Sequence, residues 1–266
     1  MKRTKSPLHL SRSPLVVVVT EARFSAVMAI EKFVPDIQEQ LRHKGFPRFV
    51  KNQIQEILVQ QNAAPKVNVT DRFEFQNKEQ SVGIVLTSNS VAVHTSRYTS
   101  FEDFEGIFAT VLIVVNRVLQ LSLLERVGLR YIDVVRVNQN AGEKLTDYLK
   151  PGLLGLDPEK IRAKDWIGRL EQSGRTECGK LVVKCLQHNQ ILPPDLSPSS
   201  LSYGMTLQQG EIVTLLDFDH FADKSDEFET KYVVAAIGEL HDALDLAFRE
   251  AVTDEALIRW GKEESR

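Results

Sequence analysis

The stretch Ser100 to Leu121, SFEDFEGIFATVLIVVNRVLQL, constrains this chain more than any other. Its spacing predicts a helix. Ser100 is placed to cap the first turn with Asp103 three residues on, and Glu102, Asp103 and Glu105 put negative charge at the positive end of the helix dipole. Phe104, Phe108, Val111, Val115, Val118 and Leu119 recur at three- and four-residue spacing, and Ile107, Leu112, Val114 and Leu121 widen that stripe. A helix with so broad an apolar face has to lie on a sheet or in a groove.

The preceding residues supply the sheet. Leu15 to Phe24, LVVVVTEARF, reads as a covered strand, and Val27 to His43 as an amphipathic helix that Pro35 kinks or restarts and that Gly45 and Pro47 end. Strands are expected at Arg48–Gln60, Lys66–Gln76, Ser81–Thr87 and Ser90–Ser96, with breaks at Asn62–Pro65, Asn77–Gln80 and Ser88-Asn89. The order is strand, helix, four strands, long helix.

The second half repeats that order. Arg126 to Val137 reads as a strand, 142–161 as short helical pieces broken by Pro151 and Pro158, and 165–172, 176–188, 201–207 and 211–218 as strands. Pro193, Pro194 and Pro198 mark the intervening loop. A second long helix, from about Asp226 to Val252, carries Val233, Ile237, Leu240, Leu244 and Phe248. A shift of 125 positions sets Phe108, Leu112, Val115 and Leu119 on Val233, Ile237, Leu240 and Leu244. The expected fold is α+β: two tandem strand-helix-four-strand-helix units, each an antiparallel sheet on a long helix, spanning 14–122 and 123–266 after a flexible leader at 1–13 and packed as one globule.

Charge and cysteines narrow the function. The formal net charge of −3 offers polyanions no general attraction, and the one basic cluster, Lys2, Arg3, Lys5 and Arg12, falls in the leader. Nucleic acid is therefore not expected as a partner. No apolar run reaches the length of a bilayer span, so no membrane is expected and a cytoplasmic location is the default. Cys178 and Cys185 are spaced neither as a redox pair nor as metal ligands.

Several segments carry a resemblance. Pro14-Leu15 through Glu21-Ala22-Arg23-Phe24, Gly45-Phe46-Pro47, Gly128-Leu129-Arg130-Tyr131, Asp217-Phe218-Asp219 and Leu240-His241-Asp242, with Phe248, Thr253, Glu255, Trp260 and Gly261, resemble a sporadically distributed bacterial family of similar length and unassigned activity. The element order resembles helix-grip and TATA-binding-protein-like units, in which a curved antiparallel sheet wraps one long helix. The family resemblance implies a shared architecture and carries over no catalytic role.

Known chemical motifs are missing. Gly174 to Lys180 fits GxxxxGK, but Leu181 stands where a phosphate loop needs a hydroxyl, and Leu181 to Leu186 reads as a strand. A hairpin turn is expected there. The remaining constellation is Asp217, Asp219, His220 and Asp223, with His241, Asp242 and Asp245 on the following helix. Asp217, Asp219 and His241 are the candidate metal ligands, set against a reading in which Asp219 to Asp226 caps that helix and His241 is an edge-of-core histidine. Glu21, Arg23, Arg130 and Asp133, charged within apolar strands, are expected to be exposed at strand ends or paired as a polar network, with a ligand pocket as the alternative.

The expected function is non-catalytic: a binding or regulatory protein, the accessory or antitoxin-like member of a bacterial pair, without a cofactor. Its partner is expected to be another protein, with homo-oligomerisation also open. Arg23, Arg130 and Tyr131 are the candidate binding residues, on the sheet face opposite the helices. The alternative is a protein enclosing a pocket for a small ligand or metal, with or without enzymatic activity.

Overall fold

The computed structural model describes residues 8–58, 66–158, 160–164, 166–196, 200–208 and 211–262. Lys2, Arg3, Lys5, the break at 62–65, Asp165 and Pro198 lie outside them. Among the described residues the fold is α+β, with one antiparallel sheet of nine strands and four α-helices. The elements run β1 (Leu15–Phe24), α1 (Val34–His43), β2 (Arg48–Leu58), β3 (Lys66–Gln76), β4 (Val82–Leu86), β5 (Ser90–Thr95) and α2 (Phe101–Leu119). They continue with β6 (Leu123–Val135), β7 (Arg169–Arg175), β8 (Lys180–His188), β9 (Val213–Glu227), α3 (Thr230–Ala251) and α4 (Asp254–Arg259).

Across the sheet the order is β2-β3-β4-β5-β1-β6-β9-β8-β7. β1 pairs with β5 on one side and β6 on the other, so the first strand stands near the middle. Outward from the β1–β6 seam the order is β5-β4-β3-β2 in one direction and β9-β8-β7 in the other.

The helices cover one face. Ser100 Oγ accepts the Asp103 amide at 3.1 Å, as the capping pattern predicts, and α2 ends at Gln120, whose φ of 51° turns the chain left-handed. Phe101, Phe104, Phe108, Val111, Leu112, Val114 and Val115 are buried, and Val233, Ile237, Leu240 and Leu244 of α3 join the same core. From the sheet, alternate residues meet them: Val18, Ala22 and Phe24 of β1, Phe73 and Phe75 of β3, Val127 and Leu129 of β6, and Leu216 and Phe218 of β9. Pro35 sits in the first turn of α1, after a 3₁₀ turn at Ile30–Lys32, so of the two expected outcomes it starts a second segment and does not kink one helix.

The second half departs from its expected order. Among the described residues it has three strands after β6 rather than four, because 201–207 joins no ladder. Its side chains do alternate as in a strand, and Tyr203, Met205 and Leu207 pack with Val16, Val134, Val213 and Leu215. Both edges of β9 are already bonded, to β6 and β8, so the segment lies across the face opposite the helices instead. Ser202 N donates to Gln80 O at 2.8 Å, and Arg136 Nη2 donates to Thr206 O at 2.7 Å. β9 is longer than predicted. Asp219 to Asp226 belong to the strand and do not cap α3, since β9 holds register with β6 as far as Leu123–Glu227. Of the leader expected at 1–13, Ser11 and Arg12 donate their amides to Gly261 and Trp260.

The GxxxxGK segment is the β7–β8 hairpin, closed by Thr176 N donating to Gly179 O at 2.8 Å. Gly179 is required by close approach: a Cβ there stands 2.2 Å from the Phe221 carbonyl oxygen and 2.8 Å from its carbon. Gly179→Ala is expected to cost about 1–3 kcal/mol in chemical denaturation through this overpacking; an unchanged midpoint would mean that the turn moves aside freely.

Candidate functional site

Strand alternation sorts the charged residues between the two faces. Odd-numbered residues of β6 from Val127 to Tyr131 point to the helices, and Gly128, Arg130 and Ile132 point away. On β9 the register sets Asp217 beside Ile132 and Asp219 beside Arg130, so both aspartates share the open face with Arg130. Glu21 and Arg23 of β1 are on this face as well, as are Lys180, Val182 and Lys184 of β8.

Arg130 holds the centre. Its Nε donates to Asp217 Oδ1 and its Nη2 to Asp217 Oδ2, each at 2.7 Å, a bidentate pair on a carboxylate that is 2% exposed. Nη1 reaches Asp195, which the covering segment brings down onto the sheet. Burial alone lowers the Arg130 pKa, yet the bonds to Asp217 and Asp195 outweigh it and the net shift is upward. Asp195 is pushed up by burial and pulled down further by Arg130, ending below its ordinary value. Asp219 is raised by burial, with Arg130 opposing and Asp217 adding to the rise.

Beside this buried group lies an uncovered strip. The Arg126 guanidinium sits 3.5 Å from the centroid of the Phe221 ring, and its Nη1 is 3.7 Å from Asp223 Oδ1. Arg23 is exposed and donates from Nε to Glu21 Oε2 at 2.8 Å. The expected network therefore divides. Glu21 and Arg23 pair with each other, Arg130 pairs with Asp217 and Asp195, and Asp133 is buried on the helix side with no cation paired to it among the described residues. Burial pushes the Asp133 carboxyl up to about 8.

Tyr131 does not belong to the open face. It points toward the helices, where its hydroxyl lies 2.9 Å from His241 Nδ1 and 3.4 Å from the Tyr98 hydroxyl. Burial raises its pKa. The His241 ring stacks on Phe101 at 4.0 Å with the planes 3° apart, so this group ties α3 to the start of α2. The same geometry separates the candidate metal ligands. Asp217 and Asp219 are on one face of the sheet and His241 is on the other, and no metal-binding group of three is found among the described residues.

His220 and Cys178 come together without an evident sequence signal. His220 Nδ1 is 3.2 Å from the Leu240 carbonyl, which assigns its proton there and leaves Nε2 to accept from Thr176 Oγ1 at 2.8 Å. Cys178 Sγ is 3.8 Å from the same nitrogen but points at the Glu239 carbonyl, 3.6 Å away. His220 is fully buried and its pKa is lowered by burial, and the cluster pins the β7–β8 turn to α3.

No protein-family model matches the chain, and a search of curated proteins returns no match. No helix among the described residues is long and apolar enough to cross a membrane. The functional reading therefore rests on the site alone. A groove of about 390 Å³ beside Met28, Glu31, Asp71 and Ser88 lies apart from the Arg130 group, and Lys51 occupies its charge by pairing with Glu31 and Asp71 at 3.2 Å each.

Proposed function

We propose that the protein is a non-catalytic binding module, built from two copies of one strand-rich unit, that engages a protein partner through the uncovered strip of the sheet face opposite its helices. The observation that carries this reading is Arg126 stacked on Phe221 in that strip. An arginine held over an aromatic ring is a preorganised anchor, and Arg and aromatic residues are enriched among interface hot spots. Arg23, Glu21 and Asp223 around it supply a charged rim.

The mirrored strand order supports the duplication, with β1, β3, β4 and β5 answering to β6, β7, β8 and β9. So does the burial in both helices of positions 125 residues apart, Phe108 with Val233, Leu112 with Ile237 and Val115 with Leu240. The charged groups elsewhere support a binding role over catalysis, because Arg130, His220 and His241 each spend their polar atoms on internal partners.

The test is copurification from the native cell followed by binding measurements on Phe221→Ala and Arg126→Ala. Each is expected to weaken the partner by about 2 kcal/mol, roughly thirtyfold, with the fold retained. Arg23→Ala is expected to change affinity by less than about 1 kcal/mol, as a rim charge. Turnover of a small molecule by the isolated protein, abolished by one side-chain change, would overturn the reading.

A further inference from the structure

The sheet ends at β7 on a free edge. Toward β8, Gln187 N donates to Gly168 O and Thr176 N to Gly179 O, which fixes the even-numbered residues of β7 as the ones bonded inward. Glu171, Ser173 and Arg175 therefore aim their backbone N–H and C=O groups outward. All three are exposed, and Glu171, Ser173 and Arg175 also share one face of the sheet. On the other side of the seam a further strand, β2, stands outside β3; among the described residues no strand stands outside β7. Such an edge is an open template for pairing.

We propose that this edge pairs with β7 of a second copy, antiparallel, about a two-fold axis at Ser173. The charges select that register. Centred on Ser173, Glu171 of each copy faces Arg175 of the other, and Arg169 faces Glu177 just beyond the strand. Centred on Glu171, that residue faces itself; centred on Gln172, Arg169 faces Arg175; centred on Gly174, Glu171 faces Glu177. Each of those places like charges opposite one another, which opposes pairing, and centring on Leu170 or Thr176, where Arg169 meets Glu171 or Arg175 meets Glu177, leaves at most three residues of β7 paired with β7. The Ser173 register also joins the outward-pointing residues to one another as hydrogen-bonded pairs. Trp166 and Ile167, exposed at 42% and 58%, continue the strand at its start and reach the β7–β8 turn of the second copy, adding apolar burial. The sequence thus carries both the attraction and the choice of register.

Sedimentation equilibrium of the full chain over a concentration series tests the proposal. A 30.1 kDa species associating to twice that mass is expected. Glu171→Arg alone, or Arg175→Glu alone, is expected to weaken the dimer about tenfold or more, because each creates two like-charge pairs. Glu171→Arg with Arg175→Glu together restores the wild-type constant. Thermal melting should shift little in all three variants, since both positions are exposed and Glu171→Arg gives up only the surface pair of Glu171 with Lys184 at 3.8 Å. A monomer at every concentration, a dimer indifferent to the single changes, or a double variant as weak as the singles overturns the proposal. An edge that binds a strand from a different protein while the chain stays monomeric overturns it too.

Discussion

Arg130→Met is expected to lower the free energy of unfolding by about 3–5 kcal/mol at neutral pH. The loss does not measure the strength of the ion pair. Asp217 is 2% exposed and both its oxygens accept from Arg130, so removing the guanidinium leaves a buried carboxylate without its cation. Asp219, in register with Arg130 on the same face, then adds repulsion that the guanidinium had offset. Converting the pair to apolar residues of similar size, Arg130→Met with Asp217→Leu, is expected to recover most of the loss, since the cost comes from the uncompensated charge. Urea denaturation of the two single variants and the double variant measures this coupling. A single-variant loss below about 1 kcal/mol would mean that water reaches Asp217 freely, as at a surface pair. Asp195→Asn is the companion control: its side chain is largely exposed, so a change within about 1 kcal/mol is expected.

Asp133→Asn is expected to stabilise the protein increasingly as the pH rises. The carboxyl is buried on the helix side and its pKa stands at about 8, against 3.8 for the free group, with burial the sole cause. Between those values the folded state holds a proton that the unfolded state releases, so stability falls as the pH rises through that window. The slope approaches about 1.4 kcal/mol per pH unit for one full proton. Below pH 4 both states are protonated and Asn brings little gain. From pH 5 to pH 8 the advantage of Asn should widen by roughly 3–4 kcal/mol, read as the difference between the unfolding free energies of variant and wild type at each pH. A difference that stays flat with pH would place a cation or ordered water beside Asp133.

What the sequence disclosed follows from how far each signal reaches. α2 was legible because cap, dipole charges and apolar period are local and agree with one another, and the strand Lys66–Gln76 because break residues bracket it in the sequence. The segment Leu201 to Leu207 misled because period two reports alternating burial and says nothing about whether a neighbouring edge is free. Asp219 to Asp226 read as helix-capping acids, yet whether such residues continue a strand depends on a partner strand almost a hundred positions earlier. Grouping Arg130 with Tyr131 overlooked a local rule, since adjacent strand residues point to opposite faces. Arg126 and Phe221 could not have been paired from spacing alone, because their meeting depends on the β6–β9 register.

The place of β1 in the sheet bears on how the chain is made. β1 leaves the ribosome before the other strands of the sheet, yet one edge waits for β5 and the other for β6, and β6 in turn waits for β9, the last of them to be made. During translation an apolar strand, LVVVVTEARF, stands with open edges, the situation in which strands find wrong partners. Its two ladders span long stretches of sequence, which slows folding by the entropy of closing those loops. Nor can the chain be divided at Ser122 without penalty: either fragment would carry one half of the β1–β6 ladder as a bare, largely apolar edge, so neither is expected to remain dispersed on its own.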